Sequence, residues 1–366
     1  MTQRERQIYE IIRAIPMIEQ SEIAQKLGIT RSSVAVHIAN LQKKGYILGR
    51  GYLLKEQEYI LGIGAANVDI HGKSKKGIQL RDSNPGKMNS SAGGVTRNVS
   101  ENLARLGAMV KLITALGDDT YAEQIRSECA AAGIDFSHSM VVERHPSSTY
   151  ISILDENGDM YVAMSDMSVL QQMNMDYLKG KGGIIGGAKY ITMDAGLPEA
   201  VLEGILDIYG KQAPIFVDPV SCTYAEKLKP IIGRIDTIKP NKLETEVISG
   251  IKIESEADLE RAADALLEKG LKHIYISLGM DGCFYMNRDG VKIKRSLRPL
   301  ERMENATGGG DAFMAAVLYA RLHDVDVSHT IDLALAAGIA AISYKTTIHP
   351  NMSIALLEKI LEERKR

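Results

Sequence analysis

The sequence predicts an α/β protein in which a mostly parallel sheet carries helices on both faces, with a small helical unit ahead of it. From Tyr59 onward, strand-like runs alternate with helical ones, which is the pattern of such a sheet. The polar run 55–58, KEQE, separates that body, residues 59–366, from three amphipathic segments within residues 1–54. Of 366 residues, 45% are hydrophobic and 25% charged. That is enough apolar material for one large core plus a small second domain, and it excludes a disordered chain. The formal net charge of −2 excludes polyanion binding by the whole molecule, so any nucleic-acid contact must be local.

Residues 4–15, RERQIYEIIRAI, set Ile8, Ile11, Ile12 and Ile15 at helical spacing, and Pro16 stops the helix. Ser21 is placed to cap a second helix with Ile23, Ala24 and Leu27 inward, closed by Gly28. Thr30 or Arg31 opens a third, with Val34, Ile38 and Leu41 inward. Arg31, Ser32, Ser33, Val36, His37 and Asn40 then lie on the outer side. Two helices joined by a Gly-containing turn have the form of a helix-turn-helix, whose second helix enters the major groove of DNA. In KKGYILGRGYLL, residues 43–54, Gly45 ends the helix and a turn at 49–51 makes a two-stranded wing. Lys43, Lys44 and Arg50 are there placed for phosphate contacts, and the first 50 residues carry a net +4. A trihelical packing or oligomerisation module with a solvated basic face would show the same features.

In the body, YILGIGAANVDIHG, residues 59–72, reads as a buried strand ending in polar residues. Further strands are expected at 110–116, 190–193, 214–217 and 273–278, and helices at 120–132, 200–209 and 258–269. Residues 71–90 and 148–165, the latter turning at Glu156-Asn157-Gly158-Asp159, read as a strand and a hairpin of a small secondary sheet. Ligands of open α/β sheets bind beyond the carboxyl ends of the strands, so residues following each strand are the candidates. The chain has neither GxxxxGK[ST] nor GxGxxG, which argues against a P-loop mechanism.

The sharpest local feature is ENATGGGDAFMAAVLYA, residues 304–320. Gly308, Gly309 and Gly310 lack Cβ atoms, so successive N–H groups can converge, and the helix that follows adds free donors and the positive end of its dipole. The product is an anion site. Asp311 alone would read as a helix cap, but a cap does not explain three entropically costly glycines before it. A phosphoryl-transfer site does: the amides stabilise charge on the transferred group while Asp311 accepts the proton of the attacking hydroxyl.

In IKPNKLETEVISG, residues 238–250, Asn241 and Glu244 stand three apart. They could hold magnesium, directly or through water, or form a simple capping box. Ser277, Gly279 and Gly282 of SLGMDG could bring backbone close to a nucleotide, or make an ordinary tight turn. Asn67 and Asp69 follow the first strand, and SSAGGVTRNVSENLARLG, residues 90–107, offers Gly93 and Gly94 ahead of a helix carrying Asn98. Asp69 and Asn98 suit vicinal hydroxyls and Gly94 lets a sugar approach the backbone. Without that context they are a strand-end and a helix-surface residue.

These segments together resemble the ribokinase-like (PfkB) carbohydrate kinase family over about residues 59–366: the Gly-Gly segment 93–107 and TGGGD at 307–311 occur in order, with Asn241 and Glu244 between. The resemblance implies a three-layer α/β sandwich with a small β lid built from residues 71–90 and 148–165, a lid that often also forms a dimer contact. It implies ATP and Mg2+ as cofactors and Asp311 as catalytic base. It places the amides of Gly308, Gly309, Gly310 and Asp311 in an anion hole, and Asn241 with Glu244 in the magnesium shell. Asn67, Asp69, Gly93, Gly94 and Asn98 would hold a ribose-like ring. The commoner family run is Asp-Thr-x-Gly-Ala-Gly-Asp, and here Asn305 and Gly309 replace the first Asp and the Ala. Gly309 keeps its donor. Asn305 removes a charge from the region that binds a monovalent cation in many members, so potassium activation is not implied.

Residues 20–47 resemble the winged helix-turn-helix of bacterial transcription regulators, which implies double-stranded DNA as a partner. GAANVDIHG, the run Asp82-Ser83-Asn84-Pro85-Gly86 and the Asp166 segment look like the pseudouridine kinases within the family. That implies pseudouridine as acceptor; ribose, another nucleoside or a hexose phosphate, or a ligand-sensing regulator built on a kinase body, are the alternatives. Cys129, Cys222 and Cys283 match no paired or metal-ligand spacing and read as reduced thiols. The opening MTQRERQIYE has no apolar signal-like run, and no apolar run spans a membrane, so a cytoplasmic location is expected. Scattered histidines point to no tightly held metal, and paired half-sites and lids favour a homodimer.

Overall fold

The computed structural model describes residues 1–47, 58–156, 160–301, 303–304 and 307–364. They form two compact units, Met1–Glu58 and Tyr59–Arg366.

The first unit packs α1 (Gln3–Ala14), α2 (Gln20–Leu27) and α3 (Arg31–Lys43) around Ile8, Ile12, Ile23, Val34, Ile38, Leu41 and Ile47. Thr2 and Glu5 form a reciprocal capping box at the start of α1. The helix ends one residue short of Ile15, which is exposed rather than inward. Ser21 does not cap α2: Glu19 holds the cap position and the Ser21 hydroxyl donates to its carboxylate at 3.0 Å. Gly28 closes α2 in the left-handed region, and the Thr30 hydroxyl caps α3 by accepting from Ser33 N–H at 3.2 Å.

Arg31, Ser32 and Ser33 open α3 fully exposed, Lys43 is exposed at its end, and His37 is half-buried. The Lys44 ammonium, although exposed, donates to both Glu5 carboxylate oxygens at 2.9 and 2.8 Å, so its charge is paired within the unit. Arg50, the wing turn at 49–51 and residues 55–57 of the linker lie outside the described residues.

The second unit has fourteen strands among the described residues. They are β1 (Ile60–Ile63), β2 (Asn67–Ser74), β3 (Gly86–Gly93), β4 (Val110–Ile113), β5 (Ala115–Leu116), β6 (Met140–Val141) and β7 (Thr149–Leu154). Then follow β8 (Met160–Asp166), β9 (Tyr190–Asp194), β10 (Ile215–Asp218), β11 (Thr237–Ile238), β12 (His273–Ser277), β13 (Cys283–Asn287) and β14 (Lys292–Arg295). The helices that matter most are α4 (Val95–Leu106), α5 (Thr120–Ala131), α6 (Met175–Lys179), α7 (Gly182–Gly186), α8 (Glu199–Tyr209) and α9 (Cys222–Ala225). They continue with α10 (Lys242–Ser249), α11 (Glu256–Glu268), α12 (Gly309–Leu322), α13 (Val327–Ile342) and α14 (Ile354–Arg364).

The main sheet runs β14-β13-β12-β11-β10-β9-β1-β4, parallel from β12 to β4 and antiparallel at the β13 and β14 edge. Alternation along each strand divides the core in two. Leu61, Ile63, Ile191, Val217 and Ile274 meet α8 and α11 on one face, while Ile60, Leu112, Phe216 and Tyr275 meet α4, α12 and α13 on the other. The result is a three-layer sandwich.

Residues 59–72 are two strands in two sheets. At Gly64, an added Cβ would lie 2.2 Å from Thr96 Oγ1 and 2.3 Å from Asp194 Oδ2, so the glycine lets the chain turn tightly over buried polar atoms. The run 110–116 likewise divides at Thr114 into β4 and β5. The small sheet is β3-β2-β7-β8, two antiparallel hairpins joined by a parallel β2–β7 pairing. Asn157, Gly158 and Asp159 of its turn lie outside the described residues.

Lys44, foremost, and the Thr2 amide hold the Glu5 carboxyl down at about 2 from an ordinary 4.5. Its folded pKa is depressed, so its contribution to stability is present above about 4.5 and is lost as pH falls towards 2. Glu5→Gln is expected to lower the unfolding temperature of the first unit at pH 7 and to match wild type near pH 2, as read by calorimetry of the full chain.

Candidate active site

Parallel strands bring their carboxyl ends to one edge of the sheet, and buried charges collect there. Asp194 at the end of β9 is fully buried, accepting from Ala65 N–H at 2.7 Å, Thr96 Oγ1 at 2.5 Å and Gly196 N–H at 3.0 Å. Burial raises its pKa. Next to it in register, Asp218 ends β10 and pairs with the buried Lys239 ammonium at 3.2 Å. Burial alone would push Lys239 down, but Asp218 and then Glu244 hold it above its ordinary value.

The glycine run sits over this pair. Gly308 is the N-cap of α12 with φ 82°, and an added Cβ would lie 2.2 Å from the Thr347 carbonyl oxygen. Gly309, Gly310 and Asp311 form the first turn, whose N–H groups have no partner within the helix. At Gly310 the nearest atom to an added Cβ is the Lys239 ammonium nitrogen, 3.1 Å away, so the missing side chain lets a positive charge approach the turn.

Asp311 Oδ2 accepts from Asn98 Nδ2 at 2.8 Å, joining two motifs 213 residues apart. Burial, then the Asp218 charge, raises the Asp311 carboxyl, against Asn98 and Lys239, to about 7.

The residues expected to hold the acceptor lie on the β2–β3 hairpin and at the start of α4. Gly94, φ 98°, is the N-cap of α4, and an added Cβ would stand 2.6 Å from the Ala65 carbonyl. The Asp69 carboxylate accepts from Asn67 Nδ2 at 2.6 Å and lies across Gly93, 2.2 Å from where a Cβ would be. Burial raises its pKa. Asn98 is a buried residue, not a surface one, because α12 packs against α4. Its amide is oriented by Arg97, whose Nη1 donates to Asn98 Oδ1 at 3.2 Å and to the Ala92 carbonyl at 3.0 Å.

On the opposite side of α12, Ser277, Gly279 and Gly282 line a cavity of about 400 Å³ with Met280, Leu297, Phe313, Ile339 and Ile342. Gly309 and Gly310 are among its lining residues, so the apolar chamber reaches the glycine turn. Asn241 and Glu244 form a capping box on α10: Asn241 Oδ1 accepts from Glu244 N–H at 2.9 Å and Glu244 Oε2 accepts from Asn241 N–H at 2.8 Å. Asn241 also bridges to Ser277, which ties this helix start to the chamber. Asn305 lies outside the described residues.

Four residues escaped the sequence reading: Asp194, Asp218, Arg97 and Lys239. The first two end strand runs, the signal that singled out Asp69, and Lys239 directly precedes Pro240-Asn241. Arg97 gave no signal.

Residues 57–354 match the pfkB family carbohydrate kinases, and residues 1–47 match the winged helix-turn-helix DNA-binding domains. The chain belongs to the PfkB family of carbohydrate kinases. An uncharacterised sugar kinase of Escherichia coli K12, YeiI, is 33% identical over 353 residues, covering 96% of this chain and 97% of that protein. Pseudouridine kinase of the same organism is 33% identical over 310 residues, covering 84% and 98%. A solved structure from Clostridium perfringens described as a sugar kinase superposes with a TM-score of 0.76 at 34% identity, covering 85% of this chain and 97% of the other. Ribokinase of Arabidopsis thaliana, complexed with ribose and ATP, shares the fold with a TM-score of 0.73 at 20% identity, covering 84% and 99%. As a PfkB kinase the chain is an ATP-dependent phosphotransferase acting on an alcohol group of a sugar or nucleoside.

The two glycine positions are expected to separate. Gly308→Ala combines a left-handed φ with a clash against backbone, and should abolish most turnover. Gly309→Ala is crowded only by the Ile342 Cγ2 methyl at 3.1 Å, which can shift, with the Gly338 carbonyl at an ordinary 3.6 Å, and should keep activity close to wild type. Steady-state kinetics on both variants, with unfolding curves, check this.

Proposed function

We propose that this kinase transfers the γ-phosphoryl group of ATP to the 5'-hydroxyl of pseudouridine. The observation that carries the mechanism is the Asn98–Asp311 hydrogen bond, which places the acceptor segment against the glycine turn. Asp311 is the general base: its carboxylate takes the proton of the acceptor hydroxyl as that oxygen attacks the γ-phosphorus and the bond to the ADP oxygen breaks. The N–H groups of Gly309, Gly310 and Asp311, with Gly308 setting their direction, form the anion hole, and Lys239 beneath them adds a fixed positive charge. Asn67, Asp69, Gly93, Gly94 and Asn98 hold the sugar. Ser277, Gly279 and Gly282 border the adenine chamber.

Pseudouridine as acceptor is supported by the 33% identity to a pseudouridine kinase over 84% of the chain and by the sequence runs at 82–86 and 166.

The residues fit a magnesium ion held through water. Among the described residues no set of three acidic, histidine or cysteine side chains could hold a metal directly, and Asn241 and Glu244 each spend one oxygen on the capping box. Glu244 keeps a second carboxylate oxygen beside Asp218 and Lys239, suited to a metal-bound water. Magnesium bound with the nucleotide would neutralise charge on the triphosphate.

The N-terminal unit is proposed to bind double-stranded DNA through the exposed Arg31, Ser32 and Ser33 face of α3, with His37 and Lys43 beside it. Lys44 contributes by holding α1 against the end of α3 rather than by reaching phosphate. A homodimer is supported by the outer face of the small sheet, where Met88, Ile151, Val162 and Met164 are exposed on one side. Arg31→Glu is expected to abolish retention of upstream DNA in a mobility assay, and sedimentation velocity reads the oligomer. Absence of sequence-selective binding with and without nucleoside would remove the DNA reading and leave the kinase untouched.

Asp311→Asn is expected to lower kcat by about 10²- to 10⁴-fold while nucleotide binding persists. In wild type, kcat/KM should rise with pH and level off above about 7, because the protonated carboxyl cannot act as base. The folded pKa lies above the ordinary 3.8, so the carboxylate costs stability that is lost as pH rises from about 4 to 7. Asp311→Asn should therefore be at least as stable as wild type at pH 8. Retained turnover in that variant sinks the assigned base.

A further inference from the structure

The small sheet has two chemically different faces, and its register fixes which residues share each. Asn67, Asp69 and His71 alternate along β2 on one side. Their partners on that side are Gly93, Ser91 and Asn89 of β3, and Tyr150 and Ser152 of β7. Val68, Ile70 and Gly72 lie on the other side with Met88, Ile151 and Ile153. Gly72 confirms the division: an added Cβ there would meet the Met88 sulfur at 2.7 Å and Ile153 Cδ1 at 3.1 Å. The side that carries Asp69 is thus polar well beyond Asn67, Asp69 and Gly93, the residues there assigned to the sugar.

His71 is the fixed point of that extension. Its Nδ1 shares a hydrogen bond with Ser152 Oγ at 2.6 Å, and Ser152 is buried, so the ring cannot swing freely. Among the described residues Nε2 makes no hydrogen bond, which leaves one polar atom of a fixed ring for a ligand. Whichever way the Ser152 proton points, Nε2 is the complement: a donor if the hydroxyl gives its proton to Nδ1, an acceptor if it receives one.

Position along β2 says what lies there. The strand starts beside Gly93 and the α4 terminus that brings Asn98 to Asp311, and it runs away from them. The order outward is therefore Asp311, then Asn67 and Asp69, then His71, which is two residues or about 7 Å past Asp69. An acceptor with its reacting hydroxyl at Asp311 and its ring at Asp69 presents the opposite end of the ring, its anomeric substituent, to His71.

We propose that His71, held by Ser152 and flanked by Asn89, recognises a heterocyclic base at the anomeric carbon of the acceptor, through an edge of alternating carbonyl and N–H groups. This rests on the nucleoside reading given above and assigns the residue that selects for it. A site built around a hydrogen-bonding group rejects an acceptor that leaves it unpaired. A bare pentose leaves His71 facing nothing.

The test compares kcat/KM for pseudouridine, uridine and ribose in wild type, His71→Leu, His71→Gln and Ser152→Ala, all as the full chain with ATP. The quantity read is the ratio of pseudouridine to ribose. His71→Leu should lower it about 10- to 100-fold, the range of one unmade buried hydrogen bond. Ser152→Ala frees the ring and should lower it severalfold, and His71→Gln, whose amide can replace Nε2, should recover part of the loss. A wild type that prefers pseudouridine, with the ratio unchanged in the variants, overturns the role of His71 and leaves the nucleoside reading standing. A wild type that favours ribose, or that phosphorylates none of the three, overturns the nucleoside reading and this assignment with it. Should His71→Leu fail to fold, Ser152→Ala decides alone: an unchanged ratio overturns the proposal.

Discussion

A carboxylate that works as a base must be removed from water, which makes it basic, and yet remain partnered, which keeps it from being permanently protonated. For Asp311, the residue proposed as base, the surroundings meet both demands. Burial and the neighbouring Asp218 charge raise its proton affinity, and the Asn98 amide and Lys239 ammonium draw it back. The balance near 7 requires four elements to meet at one point: the ends of β10 and β11, the start of α4 and the start of α12.

That meeting explains why the strand ends are built as they are. Asp194 and Asp218 stand side by side in register, two buried carboxylates on adjacent strands, an arrangement that repels unless each is satisfied separately. Asp194 is satisfied by the Ala65 and Gly196 amides and the Thr96 hydroxyl, and Asp218 by Lys239. The Asp194 contacts do a second job. They fasten the turn between β1 and β2 to the first turn of α4, so the geometry of Gly94, Asn67 and Asp69 is set by a residue that need not touch a ligand.

The parts of this arrangement legible in the sequence are those where local cost exposes purpose. Gly308-Gly309-Gly310 is too expensive in chain entropy to precede an ordinary cap, and Gly308 at least is required, since Thr347 leaves no room for a Cβ. Alternation of strand and helix gave the layers, but apolar periodicity carries no mark of which sheet a strand joins. Residues 59–72 and 110–116 therefore read as single strands, although Gly64 and Thr114 divide them. Polar residues misled wherever their partner is remote. Lys44 resembles a phosphate contact until Glu5, 39 residues earlier, is seen to hold it, and Asn98 looks like a helix-surface residue until α12 covers it. Asn241 and Glu244 were readable in two ways because they are a capping box whose Asn241 also bridges to Ser277 at the edge of the apolar cavity.

The small sheet poses the reverse problem to the main one. Its polar side buries Asn67 and Ser152 but little apolar surface, so cohesion must come from its ladders and from whatever covers the apolar side. Near the hinge that cover exists: Val68, Ile70 and Ala92 pack in one cluster with Ala122 and Ile125 of α5. Farther out, Met88, Val162 and Met164 stand exposed among the described residues, and Ile151 is partly so. The sheet is therefore anchored at the end that carries Asn67 and Asp69 and weakly held at the end beyond His71. Local opening follows the gradient of buried apolar contact, so the outer strands yield first. A small sheet that acts as the proposed cover needs that gradient, because it must open for the acceptor without displacing the residues proposed to hold the sugar.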